Sequence, residues 1–546
     1  MRERPRPAEL LGVALLFLGL VVLVTWPQVR HLSTGVNDLG DPLLNTWTLA
    51  WVAHILPAHP SQLFNANIFY PETGTLAYSE TLLAPAMLVA PVLWLGGDPI
   101  LAHNLLMLAG YLLSGLAMYV LARSLTSHRG AALVAGAVFA VYPYRIEAYA
   151  KVQLQLAFWV PLALLAIHRL RFRPNVRTGA LAGLFAALQM YSCVYYGLFE
   201  GVPLAIVGSA SILAAAAEHR RDVVRALVVG VVVYAALCAP LAVPYRAAAR
   251  AVGERTQADV QHWSAEPSDF LRAHPQNAMY GDATRPVVGE RSLFPGLVAP
   301  VLGLAALVPP ISAGVVAYAA AGAISADLAL GVHGVGFQTL RDWLPPFRAV
   351  RVPARFAMLV GLALAVLAGF GVARLCRGRR APAQIASVAL AIGLVTLESR
   401  PRAFELAVMD DRAPAVYAWL ASQPRGVVCE YPVGDLQGRA SPQDATYMYY
   451  STRHWQPLVN GYSGFLPASY RELLDALRAF PDDASIAYLH RRGVRYLLVH
   501  NVFSLAYIHG DFEEDVRLLK ARADLEPVGR FPWKGGGVTE VFRIRN

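Results

Sequence analysis

The chain has 546 residues, of which 56% are hydrophobic and only 15% charged. Its mean hydropathy is +0.42, which excludes a soluble protein of this length and describes a chain built largely for a bilayer. The net charge of +10 does not imply a nucleic-acid partner: the arginines gather in short loops between apolar runs, the pattern that keeps basic loops on the cytoplasmic side.

The first apolar run, Glu9–Trp26, follows Arg2, Arg4 and Arg6 and ends without a small-residue cleavage site, so it is expected to be a retained anchor rather than a signal peptide. Further runs of near-membrane length follow at Pro99–Ala122, Gly130–Ala148, Gln153–Leu170, Thr178–Tyr195, Gly197–Ala217, Ala226–Tyr245, Pro295–Ile311, Ser312–Gly331, Pro353–Leu375 and Ala381–Glu398. Crossing a core of ~30 Å takes ~20 apolar residues, so about eleven transmembrane helices are predicted. The basic clusters (Arg123 and Arg129; Arg169 to Arg177; Arg220 to Arg225; Arg377 to Arg380) are then cytoplasmic. That places the N-terminus inside and the C-terminus outside, with outer segments at 27–98, 246–294 and 332–352. Leu82–Gly96 is apolar but short and holds Pro85 and Pro91, which predicts a re-entrant or interfacial segment.

From about Arg400 the composition becomes that of a small soluble domain. Strands are predicted at Gly426–Tyr431, Val494–His500 and Gly537–Ile544, and helices at Pro414–Gln423, Tyr470–Phe480 and Asp511–Ala523, with another ending at Gly493. The expected fold class is therefore an α-helical multi-pass membrane protein, residues 1–398, carrying an extracytoplasmic α/β domain, residues 399–546. Neither a phosphate-binding nor a dinucleotide-binding glycine motif is present. Cys193, Cys238, Cys376 and Cys429 lack metal-ligand spacing and read as small apolar fillers.

Chemistry concentrates in the first outer loop. Leu44, Trp47, Trp51 and Ile55 share one face of a helix that would suit either the membrane interface or the helical bundle. Asp38 and Asp41 precede it. Asp41, before Pro42, also fits a helix cap. Asp38 has no such local duty and is the favoured general base for a sugar hydroxyl, with Asp41 orienting it or holding the acceptor. Glu80, where the loop re-enters the apolar phase, is either a pocket residue or a charge at a helix start. Two groups of cations fall on the outer side. Arg145 and Lys151 lie in Tyr142–Gln155, where Gln153 and Gln155 enter an apolar span. Arg351 and Arg355 stand against the positive-inside trend. Fixed cations there suit a departing lipid phosphate; the alternative is snorkelling, or pairing with Asp342 or Asp38.

Gly40-Asp41-Pro42-Leu43-Leu44-Asn45-Thr46-Trp47, Asn67-Ile68-Phe69-Tyr70-Pro71, Trp159-Val160-Pro161-Leu162 and Val459-Asn460-Gly461-Tyr462-Ser463-Gly464-Phe465 carry a resemblance. With the many helices and the acidic first outer loop, they resemble the GT-C class of membrane glycosyltransferases, near its YfhO-like and arabinosyl- or mannosyl-transferase-like members. The resemblance implies a bacterial inner-membrane enzyme. It would move a sugar from a polyprenyl-phosphate donor to a glycan, lipid or protein acceptor on the outer face, with inversion. The catalytic acid maps onto Asp38 or Asp41, which are separated by two residues where the class often has adjacent acids. No cofactor is fixed by the resemblance, and the use of a divalent metal stays open.

On that reading Arg145, Lys151, Arg351 and Arg355 bind the donor phosphate. Glu80, Gln153, Gln155 and Tyr462 line the pocket, and the C-terminal domain binds the acceptor around Tyr462. Tyr447, Tyr449, Tyr450 and Trp455 are assigned mostly to core packing. The competing function is a non-catalytic protein for lipid or polysaccharide translocation or assembly. A secondary transporter is a weaker third, since paired inverted halves are not apparent.

Overall fold

The structure, a computed structural model, describes residues 6–287, 289–409, 413–435, 439–501, 512–533 and 536–545. The chain forms two compact units, and each draws on separated stretches of sequence.

The first unit comprises Met1–Arg30, Leu105–Ala242 and Glu254–Glu405 and is helical. Among the described residues of the whole chain, seven helical stretches, some of them interrupted, are long and apolar enough to cross a membrane: Pro7–Val24, Pro99–Thr126, Val152–Leu170, Val194–Leu213, Ala217–Val252, Pro353–Leu375 and Ala381–Ser399. The remaining four predicted spans are shorter helices: Arg129–Ala140, Val176–Ser192, Val298–Ala306 and Ala313–Ala329. The apolar run Gly130–Ala148 was expected to continue as one helix. It stops at Ala140, because the following Tyr-Pro-Tyr segment turns into two one-turn helices, Tyr144–Glu147 and Val152–Gln155.

Pro353–Leu375 is the centre of this unit, with 83% of its apolar window buried, against 22% for Pro7–Val24 and 28% for Ala381–Ser399 at the periphery. Its position depends on small residues. A side chain at Gly371 would collide with the backbone of Leu302, and one at Gly361 would meet the ring of Tyr142 at 2.5 Å. Close helix approach through small residues is how helices pack where no hydrophobic drive separates protein from lipid.

The second unit comprises His31–Asn104, Val243–Gly253 and Leu406–Asn546. Its division from the first differs from the expected cut at residue 398, because the first outer loop folds with the C-terminal residues. The sheet order is Val427–Tyr431, Val494–His500, Val538–Ile544, Leu525–Pro532; the first pair is parallel and the others antiparallel. Val494–His500 buries every residue except Arg495, as a central strand with both faces covered does. The strands Val427–Tyr431 and Val538–Ile544 fall where their sequences predict. The edge strand Leu525–Pro532 is an addition: its Pro527 and Pro532 argue against a strand, and its ladder is irregular between Pro527 and Gly529. The helix Phe512–Lys520 lies within the predicted Asp511–Ala523.

Helix Asp41–Ala58 packs against helix Pro442–Ser451 and helix Leu83–Trp94. Trp47 and Trp51 are buried in this packing, so the helix is not an amphipathic strip on a surface. Leu83–Trp94 has 12 residues, about 18 Å of helix, too short to cross a bilayer. It buries Pro85, Ala86, Val89 and Ala90 and exposes Met87, Leu88 and Trp94, which is the one-sided character of an interfacial helix.

Candidate functional site

The acidic corner belongs to the second unit and is built around Gly40. The Gly40 N–H donates to Asp38 Oδ1 at 2.7 Å, folding the carboxylate back over the start of the helix. Gly40, not Asp41, is the cap; Asp41 is the first helical residue. Tyr462 OH donates to Asp41 Oδ1 at 3.3 Å. A Cβ on Gly40 would lie 3.1 Å from Tyr462 OH and 3.2 Å from Asp38 Oδ1. Two carboxylates and a phenol therefore converge on one glycine, which the close approach requires. Asp38 is exposed and Asp41 and Tyr462 are half-buried, so an incoming hydroxyl has access.

Three of the four segments that carry the family resemblance meet here. Phe69 N donates to Asn460 O at 3.0 Å and Tyr70 N to Leu458 O at 2.8 Å, while Leu458 N donates to Asn67 O. Asn67 Oδ1 accepts from Trp47 Nε1 at 3.2 Å, and its amide donates to Ser451 Oγ and Gln456 O. Gly461 admits the Phe69 ring, which any side chain there would strike. Those motifs are spaced for mutual contact: they lock the loop that presents Asp38 to the loop that presents Tyr462.

The cationic cluster belongs to the first unit. Arg355 pairs bidentately with Glu290, Nε to Oε2 and Nη2 to Oε1 both at 2.9 Å, and Lys151 Nζ lies 3.5 Å from Glu290 Oε1. Burial pushes the Glu290 carboxyl up, but Arg355 and then Lys151 outweigh it and hold it at about 2. Arg355 also lies over the Tyr195 ring at 4.3 Å, and Tyr195 OH accepts from Arg351 N at 3.2 Å. The Arg351 guanidinium rests on the Trp263 ring at 5.0 Å. Arg255 completes the group: burial, then the like charge of Arg351, lowers it to about 10. Arg355 and Glu290 are buried, whereas Lys151, Arg255 and Arg351 are partly exposed. Four cations thus surround Glu290, with Glu147 nearby accepting from Ser292 N at 3.2 Å. Cations outnumber acids, so the cluster keeps a positive field suited to an anion.

Arg145, Gln155 and Gln153 do not join it. Arg145 is 1% exposed. Its Nε donates to Phe139 O at 3.1 Å, its Nη1 donates to Gln155 O at 2.9 Å, and its guanidinium sits between the Tyr111 and Phe139 rings. Gln155 Nε2 in turn donates to Ala148 O at 2.8 Å. The pair closes the carbonyls of a broken helix and is therefore structural, which corrects the expectation of a phosphate ligand and a pocket residue. Gln153 is buried beside it and its Oε1 makes no hydrogen bond among the described residues. Glu80 is buried at 9% exposure just before helix Leu83–Trp94.

Arg255, Glu290 and Glu147 are additions that the residue patterns did not single out. Arg255 and Glu290 lie 35 or more positions from their nearest partners in the cluster, marked only by the isolation of charge in an otherwise apolar chain; Glu147 lies inside the Tyr142–Gln155 segment but was given no role of its own. As for a metal, among the described residues no group of three or more His, Cys, Asp or Glu converges as a ligand set.

No family model and no curated protein matches the chain. Among solved structures the chain is similar to a crystal structure of ArnT from Cupriavidus metallidurans in the apo state. The identity is 13%, the alignment covers 97% of this chain and 98% of that chain, and the TM-score is 0.42. At that TM-score the likeness adds nothing to the reading of the two clusters, which rests on their own residues.

Proposed function

We propose that the chain is a membrane glycosyltransferase of the GT-C type that uses a polyprenyl-phosphate-linked sugar. The observation that carries this is the convergence of Asp38, Asp41 and Tyr462 on Gly40, made by the segments that resemble that class. Asp38 takes the proton of an acceptor hydroxyl, and the freed oxygen attacks the anomeric carbon from the face opposite the phosphate. Asp41, held by Tyr462, orients the hydroxyl. The anomeric C–O bond breaks, its electron pair leaves with the lipid phosphate, and configuration inverts. The cluster of the helical unit, Lys151, Arg255, Arg351 and Arg355, is by itself suited to hold an anion such as a lipid phosphate.

Charge supports an outer-face orientation. The arginine-rich loops fit the positive-inside rule when all eleven predicted spans cross, and that odd number would put the two ends of the chain on opposite sides. The acidic corner, the cations and the C-terminal sheet then work outside the cytoplasmic membrane.

The test is turnover of a panel of polyprenyl-phosphate hexoses and pentoses by the full chain in liposomes, read as released polyprenyl phosphate. Turnover of at least one donor that disappears in Asp38→Asn supports the reading. Absence of turnover with every donor, or equal turnover in Asp38→Asn and Asp41→Asn, sinks it and leaves the translocation or assembly role.

A further inference from the structure

We propose that a groove on the helical unit is a binding site for an anionic phospholipid, separate from the proposed sugar chemistry. The groove, about 1080 Å³, runs between the helices Pro7–Val24, Arg129–Ala140 and Ala381–Ser399. None of Lys151, Arg255, Arg351 or Arg355 lines it. Two of its three helices are the peripheral ones, only 22% and 28% buried, so the groove opens toward surrounding lipid.

Its walls are apolar, with Leu20, Leu133, Val388 and Ile392 among them. The end at Arg123, Ser127, His128 and Arg129 is the more basic and polar, and a single arginine, Arg400, lines the groove by the other end of helix Ala381–Ser399. Glu9 is 3.6 Å from Arg123 and 3.2 Å from Arg129, so one carboxylate meets two guanidiniums and this end keeps positive charge. The Arg129 side chain is 63% exposed. His128 Nδ1 caps the helix Arg129–Ala140 by accepting from Ala131 N, which brings the positive end of that helix to the same mouth. An oily trough whose positive charge is concentrated at one end complements an amphiphile with an anionic head.

Gly393 gives a second, independent sign. It lies in the interior of helix Ala381–Ser399, where glycine costs about 1 kcal/mol relative to alanine. Elsewhere in this unit Gly371 admits the backbone of a neighbouring helix and Gly361 the Tyr142 ring, while Gly12 and Gly19 of helix Pro7–Val24 meet nothing within 4 Å and do not line the groove. A Cβ on Gly393 would meet nothing within 4 Å, yet the residue lines the groove. It widens the trough rather than tightening a helix contact. The volume exceeds the ~300–1,000 Å³ of drug-sized pockets, which is room for acyl chains.

The experiment compares thermal midpoints of the detergent-solubilised full chain with added phosphatidylglycerol or phosphatidylcholine, alongside native mass spectrometry for retained lipid. Phosphatidylglycerol is expected to raise the midpoint by about 2 °C or more over phosphatidylcholine. That preference should vanish in Gly393→Phe, which puts a ring into the trough at a position where a Cβ meets nothing within 4 Å, and shrink in Arg129→Gln. Equal shifts with both lipids, or a preference that survives Gly393→Phe in a variant whose lipid-free midpoint matches the parent, overturns the proposal. So does polyprenyl phosphate displacing phosphatidylglycerol from the parent but not from Gly393→Phe, since the trough would then hold the isoprenoid.

Discussion

The acidic corner and the cationic cluster are built in opposite ways. Asp38 and Asp41 lie three positions apart, exposed or half-buried, and owe their placement to one glycine and a tyrosine from the far end of the sequence. The cluster gathers Lys151, Arg255, Glu290, Arg351 and Arg355 from four stretches of chain, with its central ion pair buried. A site assembled from neighbours can lose a side chain and keep its fold. One assembled around a buried charge cannot, because removing either partner strands the other. Substitutions should therefore separate chemistry in the first region from stability in the second.

The largest effect is expected on activity at the acidic corner. Asp38→Asn keeps shape and removes the base, so turnover should fall about 10²- to 10⁴-fold while the thermal midpoint stays put. At the cluster, Arg355→Ala leaves Glu290 buried and unpaired and should destabilise the helical unit by about 3–5 kcal/mol, seen as a lowered midpoint in detergent. The double variant with Glu290→Gln should recover part of that loss; no recovery would mean that the pair is not the source of the stability. Tyr462→Phe is milder: it removes one hydrogen bond to Asp41, worth about 0.5–1.5 kcal/mol, or roughly a 2- to 10-fold drop in turnover.

A smaller, pH-dependent effect comes from Asp444. Its carboxyl is buried, which pushes it up to about 6, although Ser441, Tyr470, Asn460 and Gly434 all donate to it. A raised folded-state value means that its contribution is fully present below the unfolded value near 3.8 and is lost as pH rises through about 6. Asp444→Asn should flatten that part of the stability profile between pH 4 and 6, measured by tryptophan fluorescence. An unchanged slope would place the titration elsewhere.

What the residues alone revealed follows from range. The apolar runs, the buried strand Val494–His500 and the acids before a helix are local patterns, and each appears where its period and punctuation put it. The run Gly130–Ala148 misled because hydropathy is blind to a helix break that polar side chains can heal; Arg145 and Gln155 look functional for the same reason. The edge strand Leu525–Pro532 was hidden by its prolines. Tyr462 was legible through its motif, but its contact with Asp41 spans 421 positions and needed the fold. Arg255 and Glu290 had no local pattern at all.

The most direct measurement is the kcat and donor KM of the full chain in liposomes with Asp38 or Asp41 changed singly to asparagine. A base at Asp38 predicts a collapse of kcat with donor KM unchanged, and a lesser loss for Asp41→Asn. Undiminished kcat in both variants would contradict it.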